Sequence, residues 1–379
     1  MLRTLSASRD CRFVRVAART LATNSDPEYY LRAAMADIDQ LQTAVREEEH
    51  LSANKKLASL PYSGRWRDAI FDVREQGVAR LDRCVNAKHA LALRAFCLEE
   101  LARAQEHPTG YDDSDERAQF SAVLGAGGTA EAIAAGDDTR WDLRLPLSPP
   151  VRAALREILK GPVGEAVEEL VGKDAELQEL ACAISAPGAA PQVMHADAEW
   201  SADASLFTAF IALQDVSVDM GPTCFLRRTH LTERAHAAFD ADGAAFLAAA
   251  DARLALLRLG DATLYDRRLL HAGGRNHSRR TDASALRLLF YFTFNRKDAV
   301  CADLDNAHSI RHEYRGRRLT LKQLRDPKFK APQVLDAWWQ SAPSSAQQSR
   351  QDEGESRPAG ADGRTSRRRK HRRRPLSGA

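Results

Sequence analysis

The sequence predicts an α+β protein, with helices first and an all-β core after them. Three observations carry that prediction. Apolar residues recur at three- and four-residue steps through residues 27–107, as on one face of a helix. From 183 to 294 the texture changes to short apolar runs separated by Gly, Pro, Asp and Asn, the spacing of a β-sandwich or barrel. The 379 residues are 44% hydrophobic, enough for a core, which excludes a wholly disordered chain. Six cysteines in that length, none in a CxxC pair, exclude a small disulfide scaffold and a zinc ribbon.

The first helical stripe is Leu31, Met35, Ile38, Leu41 and Val45, with Asp26 as its predicted N-cap and Pro27 in the first helical position. Pro61 and Gly64 interrupt it. A second stretch, 66–105, carries Ile70, Val73, Val78, Leu81, Leu91, Leu93, Phe96 and Leu101. Together they read as a helical hairpin, residues 25–110, packed on the domain that follows. Two more helices are expected at 151–159 and 163–171. Strands are expected at 206–213, 223–226, 254–257, 262–265 and 286–294. The organisation predicted is a transit-peptide-like segment (1–24), the hairpin (25–110), the main domain (111–325), an extension (326–343) and a basic tail (344–379).

Charge is unevenly spread. The net charge is +3, but residues 1–24 hold five Arg against one Asp, and residues 344–379 hold ten Arg and Lys against four acids. The body between them is therefore mildly acidic, which excludes a positively charged nucleic-acid-binding body. The N-terminal composition is that of a mitochondrial or plastid transit peptide, or of an ordinary basic N-terminus. The block 367–374 reads as a nuclear-import or nucleic-acid patch, or as a solvated charge run, with nucleic-acid contact the lesser reading. Six scattered thiols suit a reducing, intracellular compartment, leaving the cytoplasm as a third location. No apolar run of about 18 residues spans a membrane.

The sharpest local feature is His195-Ala196-Asp197. On a strand, residues i and i+2 share a face, so an imidazole and a carboxylate there can grip one metal. Alone the triplet is weak, since His and acids meet at that spacing by chance. A second cluster, GDATLYDRRLLHAGGRNHS, places His271 at the end of an apolar stretch. His, carboxylate and distal His form the facial triad of non-haem Fe(II) oxygenases. Three protein ligands leave three positions, for a bidentate cosubstrate and for O₂. A satisfied strand-end histidine is the alternative for His271. A 2-oxo acid chelating iron leaves a distal carboxylate, which a planar, always-charged guanidinium matches. Arg287 opens the strand RLLFYFTF and is the candidate.

The blocks PGAAPQVMHADAEW, MGPTCFLRRTH, GDATLYDRRLLHAGGRNHS and RLLFYFTF, in that order, resemble the phytanoyl-CoA dioxygenase family, a branch of the Fe(II)/2-oxoglutarate-dependent oxygenases. The resemblance covers roughly residues 115–320. It implies a double-stranded β-helix (jelly-roll, cupin-like) core with flanking helices, and metal and cosubstrate in the barrel mouth. By resemblance, His195, Asp197 and His271 ligate Fe(II), Gln192 contacts 2-oxoglutarate, and Asn276 matches the Asn after the distal histidine's turn. Arg227-Arg228 stand where the family has Pro-Gly, so that turn is expected to differ. The family's 2-oxoglutarate arginine usually lies about 11 residues past the distal His, where this chain has Asp282. A short insertion shifts the expected equivalent to Arg287, with Arg280 as the fallback. Related halogenases replace the carboxylate ligand by a small residue. An intact Asp197 implies hydroxylation.

The implied activity is hydroxylation of a C–H bond of a small organic molecule, using O₂ and releasing succinate and CO₂. The alternatives are a catalytically inactive family member acting as an interaction module through its helices and tail, and a zinc protein using the same three ligands. The closing residues Ser377-Gly378-Ala379 carry no peroxisomal signal, which weakens a literal phytanoyl-CoA substrate. Substrate identity and oligomeric state are not readable from the sequence.

Overall fold

The computed structural model describes residues 59–106, 120–122, 139–279, 285–297, 299 and 309–332. The first predicted helix, the segment 1–24, the tail 344–379 and Arg280 lie outside the described residues.

Helix α1 (Trp66–Gln76) leads into strand β1 (Val78–Leu81) and helix α2 (Ala87–Glu106). Strands β2 (Phe120–Ala122) and β3 (Arg140–Arg144) precede helices α3 (Pro149–Lys160) and α4 (Pro162–Val171). Then come β4 (Glu176–Ser185), β5 (Leu206–Ala212), β6 (Thr223–Leu226), helices α5 (Glu233–Ala241) and α6 (Gly243–Ala249), and β7 (Ala252–Leu254). Strands β8 (Ala262–Asp266), β9 (His271–Gly273) and β10 (Arg287–Asn295) and the short helix α7 (Leu321–Arg325) complete the order. Seven strands form one sheet in the order β1-β8-β5-β10-β4-β3-β2, and three form a second, β7-β6-β9. Every pairing between these strands is antiparallel.

Strand β10 shows why the sheets face each other. All nine of its residues are buried, so both faces are covered. Leu289 clusters with Phe225 of the small sheet and with Tyr265, Ala212 and Val216. Phe290, Phe292 and Phe294 have the opposite parity and stack along the other face, where α4 packs on β10 and β5. Burying each of these rings is worth about 2–3 kcal/mol. The α+β class, antiparallel core and flanking helices agree with the prediction. The large sheet stays open: β1 and β2 are its two edges.

Three details differ from the sequence reading. The stretch 66–105 is not one helix. Gly77 adopts φ 86° and its N–H caps α1 on Val73 O. A Cβ at Gly77 would lie 2.4 Å from Leu269 Cδ1 and 2.6 Å from His230 Nδ1. Val78 to Leu81 then pair with β8 from Tyr265 to Ala262. Helical periodicity continued through this strand, but glycine at a left-handed position ends a helix. Second, β4 was not among the expected strands and begins ahead of the region read as β, residues 183–294. Third, α5 and α6 interrupt the β region, each started by a side-chain cap, Thr232 on Ala235 N and Asp242 on Ala245 N. Among the described residues no helix is long and apolar enough to cross a membrane.

The turn after β6 keeps a glycine-like backbone without glycine. Arg228 is exposed and sits at φ 69°, ψ 0°, and its N–H bonds to Gln76 O at 2.9 Å. Arg227 pairs with Asp251. An L-residue held there costs about 1–2 kcal/mol. Arg228→Gly is therefore expected to raise stability by about 1 kcal/mol, read as a shift of the urea midpoint at unchanged slope.

Candidate metal centre

His195 sits outside the regular strands, yet its backbone is paired. Its N–H bonds to His271 O at 3.0 Å and the His271 N–H returns to His195 O at 2.8 Å. This closed antiparallel pair puts both side chains on one face. The imidazole centroids are 4.6 Å apart. Three residues upstream of His195, Gln192 makes a second rung: its N–H reaches Gly273 O at 2.8 Å, and its Oε1 accepts from Gly273 N–H at 2.9 Å.

The chain bends after His195, and the bend returns Asp197 to the two rings. Asp197 Oδ1 lies 3.6 Å from His195 Nε2, and Oδ2 lies 3.7 Å from His271 Nε2. One ligand atom from each of the three residues falls within 4.8 Å of the others. Each ring is held at its far nitrogen, His195 Nδ1 at 2.7 Å from Val193 O and His271 Nδ1 at 3.0 Å from Leu269 O. A carbonyl accepts only, so Nδ1 carries the proton and the Nε2 lone pair faces the carboxylate. That donor set, two imidazoles and a carboxylate with outer partners already in place, fits a divalent transition metal. Burial pushes His271 down to about 4 against the raising influence of Asp197, which keeps the ring unprotonated at neutral pH. Burial opposes ionisation of Asp197, but His271, Arg267 and His195 outweigh it and hold the carboxyl well below the usual range. Tyr265 donates to Asp197 Oδ2 at 2.8 Å, and Arg267 Nε lies 3.7 Å from the same oxygen.

The strand register builds a second cluster. Ser185 of β4 stands directly opposite Arg287 of β10 and Arg140 of β3, so all three share the inner face. Arg287 is buried, and its Nη1 donates to Gly221 O. Its Nε finds no partner, and burial alone lowers its pKa to about 10, with no carboxylate opposing that shift. Ser185 Oγ is likewise buried without a partner. Arg140 donates to Ala190 O and Gly274 O. A Cβ on Gly273 would lie 2.6 Å from Gln192 Oε1 and 3.1 Å from a terminal nitrogen of both Arg140 and Arg287. A buried cation is expected to be paired, so this cradle suits an anion.

These two clusters account for the sequence candidates. His195, Asp197 and His271 come together, and Gln192 and Arg287 meet beside them. Asn276 is a structural tie: it donates to Ser185 O and Ala285 O, both at 3.0 Å, and accepts from Ser278 N–H. Sequence reasoning missed Arg140, Ser185, Tyr265, Arg267 and Glu179. A signal existed for the first: RWDLR alternates charged and apolar residues, the mark of a strand with one polar inner face.

The sequence pattern of the phytanoyl-CoA dioxygenase (PhyH) family matches residues 73–282, more than half of the chain. The chain belongs to the phytanoyl-CoA dioxygenase family. It is an Fe(II)/2-oxoglutarate-dependent oxygenase of the non-haem class. The match starts within α1, so the PhyH region takes in β1 and α2, which the sequence reading assigned to a separate hairpin. No curated protein matches the chain in sequence. Solved structures similar to it include HygX from Streptomyces hygroscopicus, with nickel, 2-oxoglutarate and hygromycin B bound (17% identity, 67% of this chain and 99% of that one, TM-score 0.42). AviO1 from Streptomyces viridochromogenes Tue57 is 17% identical over 64% of this chain and 98% of that one, with TM-score 0.42. The carbocyclase SnoK of nogalamycin biosynthesis is 18% identical over 62% of this chain and 87% of that one, with TM-score 0.41.

The inner wall of this PhyH core also holds a buried carboxyl. Asp142 accepts from Tyr291 Oη at 2.7 Å and from Ser309 Oγ. Burial outweighs these bonds and pushes its pKa up to about 6, above the unfolded value near 3.9. Its contribution to stability is thus fully present below about pH 4 and lost as the pH rises through about 6. Thermal unfolding from pH 4 to 7 should show Asp142→Asn gaining about 2–3 kcal/mol relative to wild type. Parallel pH profiles would remove Asp142 as the source.

Proposed function

We propose that the protein hydroxylates a C–H bond of a small organic substrate, with 2-oxoglutarate converted to succinate and CO₂. His195, Asp197 and His271 would hold Fe(II), and Arg287 would anchor the distal carboxylate of 2-oxoglutarate. The observation that carries this reading is the buried Arg287 Nε without a partner, beside the Gln192–Gly273 rung that continues the His195–His271 pairing. A zinc hydrolase with three such ligands has no need of that cation.

The bound iron and cosubstrate supply the oxidising chemistry. The protein's own groups do the rest. Val193 O and Leu269 O fix the imidazole tautomers, so both Nε2 lone pairs are presented without a proton to remove. Asp197 stays ionised and is steadied by the Tyr265 hydroxyl. Gln192 is oriented by Gly273 N–H and stands beside the Arg287 cradle. Arg287, shielded from water, gives a bidentate fork that a carboxylate matches in shape as well as charge. Asp197 keeps the carboxylate ligand in place, which supports hydroxylation over halide transfer.

Mixing the protein with Fe(II) and 2-oxoglutarate without oxygen should produce the weak visible charge-transfer band of a chelated 2-oxo acid. The band should vanish in His195→Ala. In Arg287→Ala, half-saturation should need at least tenfold more 2-oxoglutarate, the loss expected when a charged partner is removed. No band in folded, iron-loaded wild type would refute the proposal. Gly273→Ala is expected to act like Arg287→Ala, because its methyl group would enter the space between Gln192, Arg140 and Arg287. Unchanged 2-oxoglutarate affinity in that variant would show the cradle is not the cosubstrate site.

A further inference from the structure

Arg267 stands between two carboxylates and is committed to neither. Its Nε is 3.7 Å from Asp197 Oδ2, and its Nη1 is 3.6 Å from Glu179 Oε2. Both distances exceed a hydrogen bond, and the buried Nε has no hydrogen-bond partner. Glu179 is held much more firmly. It lies opposite Thr293, which lies opposite Thr208, on three neighbouring strands. Thr293 Oγ1 donates to Glu179 Oε2 at 2.5 Å. Thr293 Oγ1 is also 2.7 Å from Thr208 Oγ1. The one Thr293 proton is spent on Glu179, so Thr208 is the donor in that second bond. This chain fixes the carboxylate of Glu179 from the body of the sheet.

The charges then decide what Glu179 does. A guanidinium beside a ligand carboxylate competes with the metal for that carboxylate and repels the metal directly. A second carboxylate on the far side of the guanidinium offsets both effects. We propose that Glu179 is a positioning residue of the metal centre: it neutralises Arg267 and keeps it from closing on Asp197. The proposal rests on the reading of His195, Asp197 and His271 as metal ligands.

Co(II) is the probe, followed by its visible absorption in an oxygen-free titration of the full chain, with each variant's fold checked by its melting temperature. Glu179→Gln keeps the side-chain shape and an acceptor for Thr293 but removes the charge. It should weaken Co(II) binding about tenfold, the scale of a lost outer partner. Arg267→Gln should bind Co(II) at least as tightly as wild type. The double variant Glu179→Gln/Arg267→Gln should return to within about threefold of wild type, since nothing is left to neutralise. Loss of a merely structural contact would not be rescued in this way. Wild-type affinity in Glu179→Gln, or a double variant as weak as Glu179→Gln, would overturn the proposal. Should Glu179→Gln fail to fold, Arg267→Gln decides alone, and weaker binding there overturns it. A wild-type chain that binds no Co(II), or binds it equally in His195→Ala, refutes the ligand reading instead.

Discussion

The site depends on one backbone pairing, the two hydrogen bonds exchanged between residues 195 and 271. The peptide groups do the work, and the imidazoles follow because opposed residues in an antiparallel pair share a face. The rung between Gln192 and Gly273 extends the same pairing, and so the His-Asp-His cluster and the anion cradle share one scaffold. Ring orientation is a separate matter, settled by two carbonyls two residues upstream of each histidine. Backbone thus sets position and orientation, while the acidic side chain supplies charge.

Charge is laid out along the inner face of the large sheet. Arg140, Ser185 and Arg287 mark one end, and Leu289, Ala212 and Ala183 form an apolar stretch beside them. Phe210 and Tyr291 follow, 5.5 Å apart in an edge-on contact, and then Thr208, Thr293 and Glu179 with Arg267. Arg287 has no carboxylate opposing its burial, whereas Arg267 lies between two. On the proposed reading, that contrast separates the place for 2-oxoglutarate from the outer support of the metal. It is visible only once the strands are in register.

Much of this was legible in the sequence, and the division has physical causes. The strands 206–213, 223–226, 262–265 and 286–294 and the helices 151–159 and 163–171 were found because their apolar periodicity is undisturbed. The candidates His195, Asp197 and His271 stood out because a metal site constrains residue type at short spacings. What escaped was long-range. Arg140 meets Arg287 across β4, and Glu179 meets Arg267 through a strand register that no local pattern encodes. The misread helix through 78–81 failed for a related reason: Val78 and Leu81 fit a helical stripe, and only the pairing with β8 makes them a strand. The left-handed residue at 228 was not readable either, because arginine carries no local signal for it. The fold imposes the left-handed backbone, and the arginine bears it.

Strand β1 has a consequence for how this chain keeps to itself. It is contributed from far upstream and laid along β8. Without it, β8 would present a row of open peptide groups on a strand whose five residues are all buried in the fold. An uncovered edge of that kind recruits strands from other molecules. The segment from α1 to β1 therefore serves as a built-in guard against self-association. A chain begun after Leu81 would carry every residue of the His-Asp-His cluster and still be prone to stack with its neighbours.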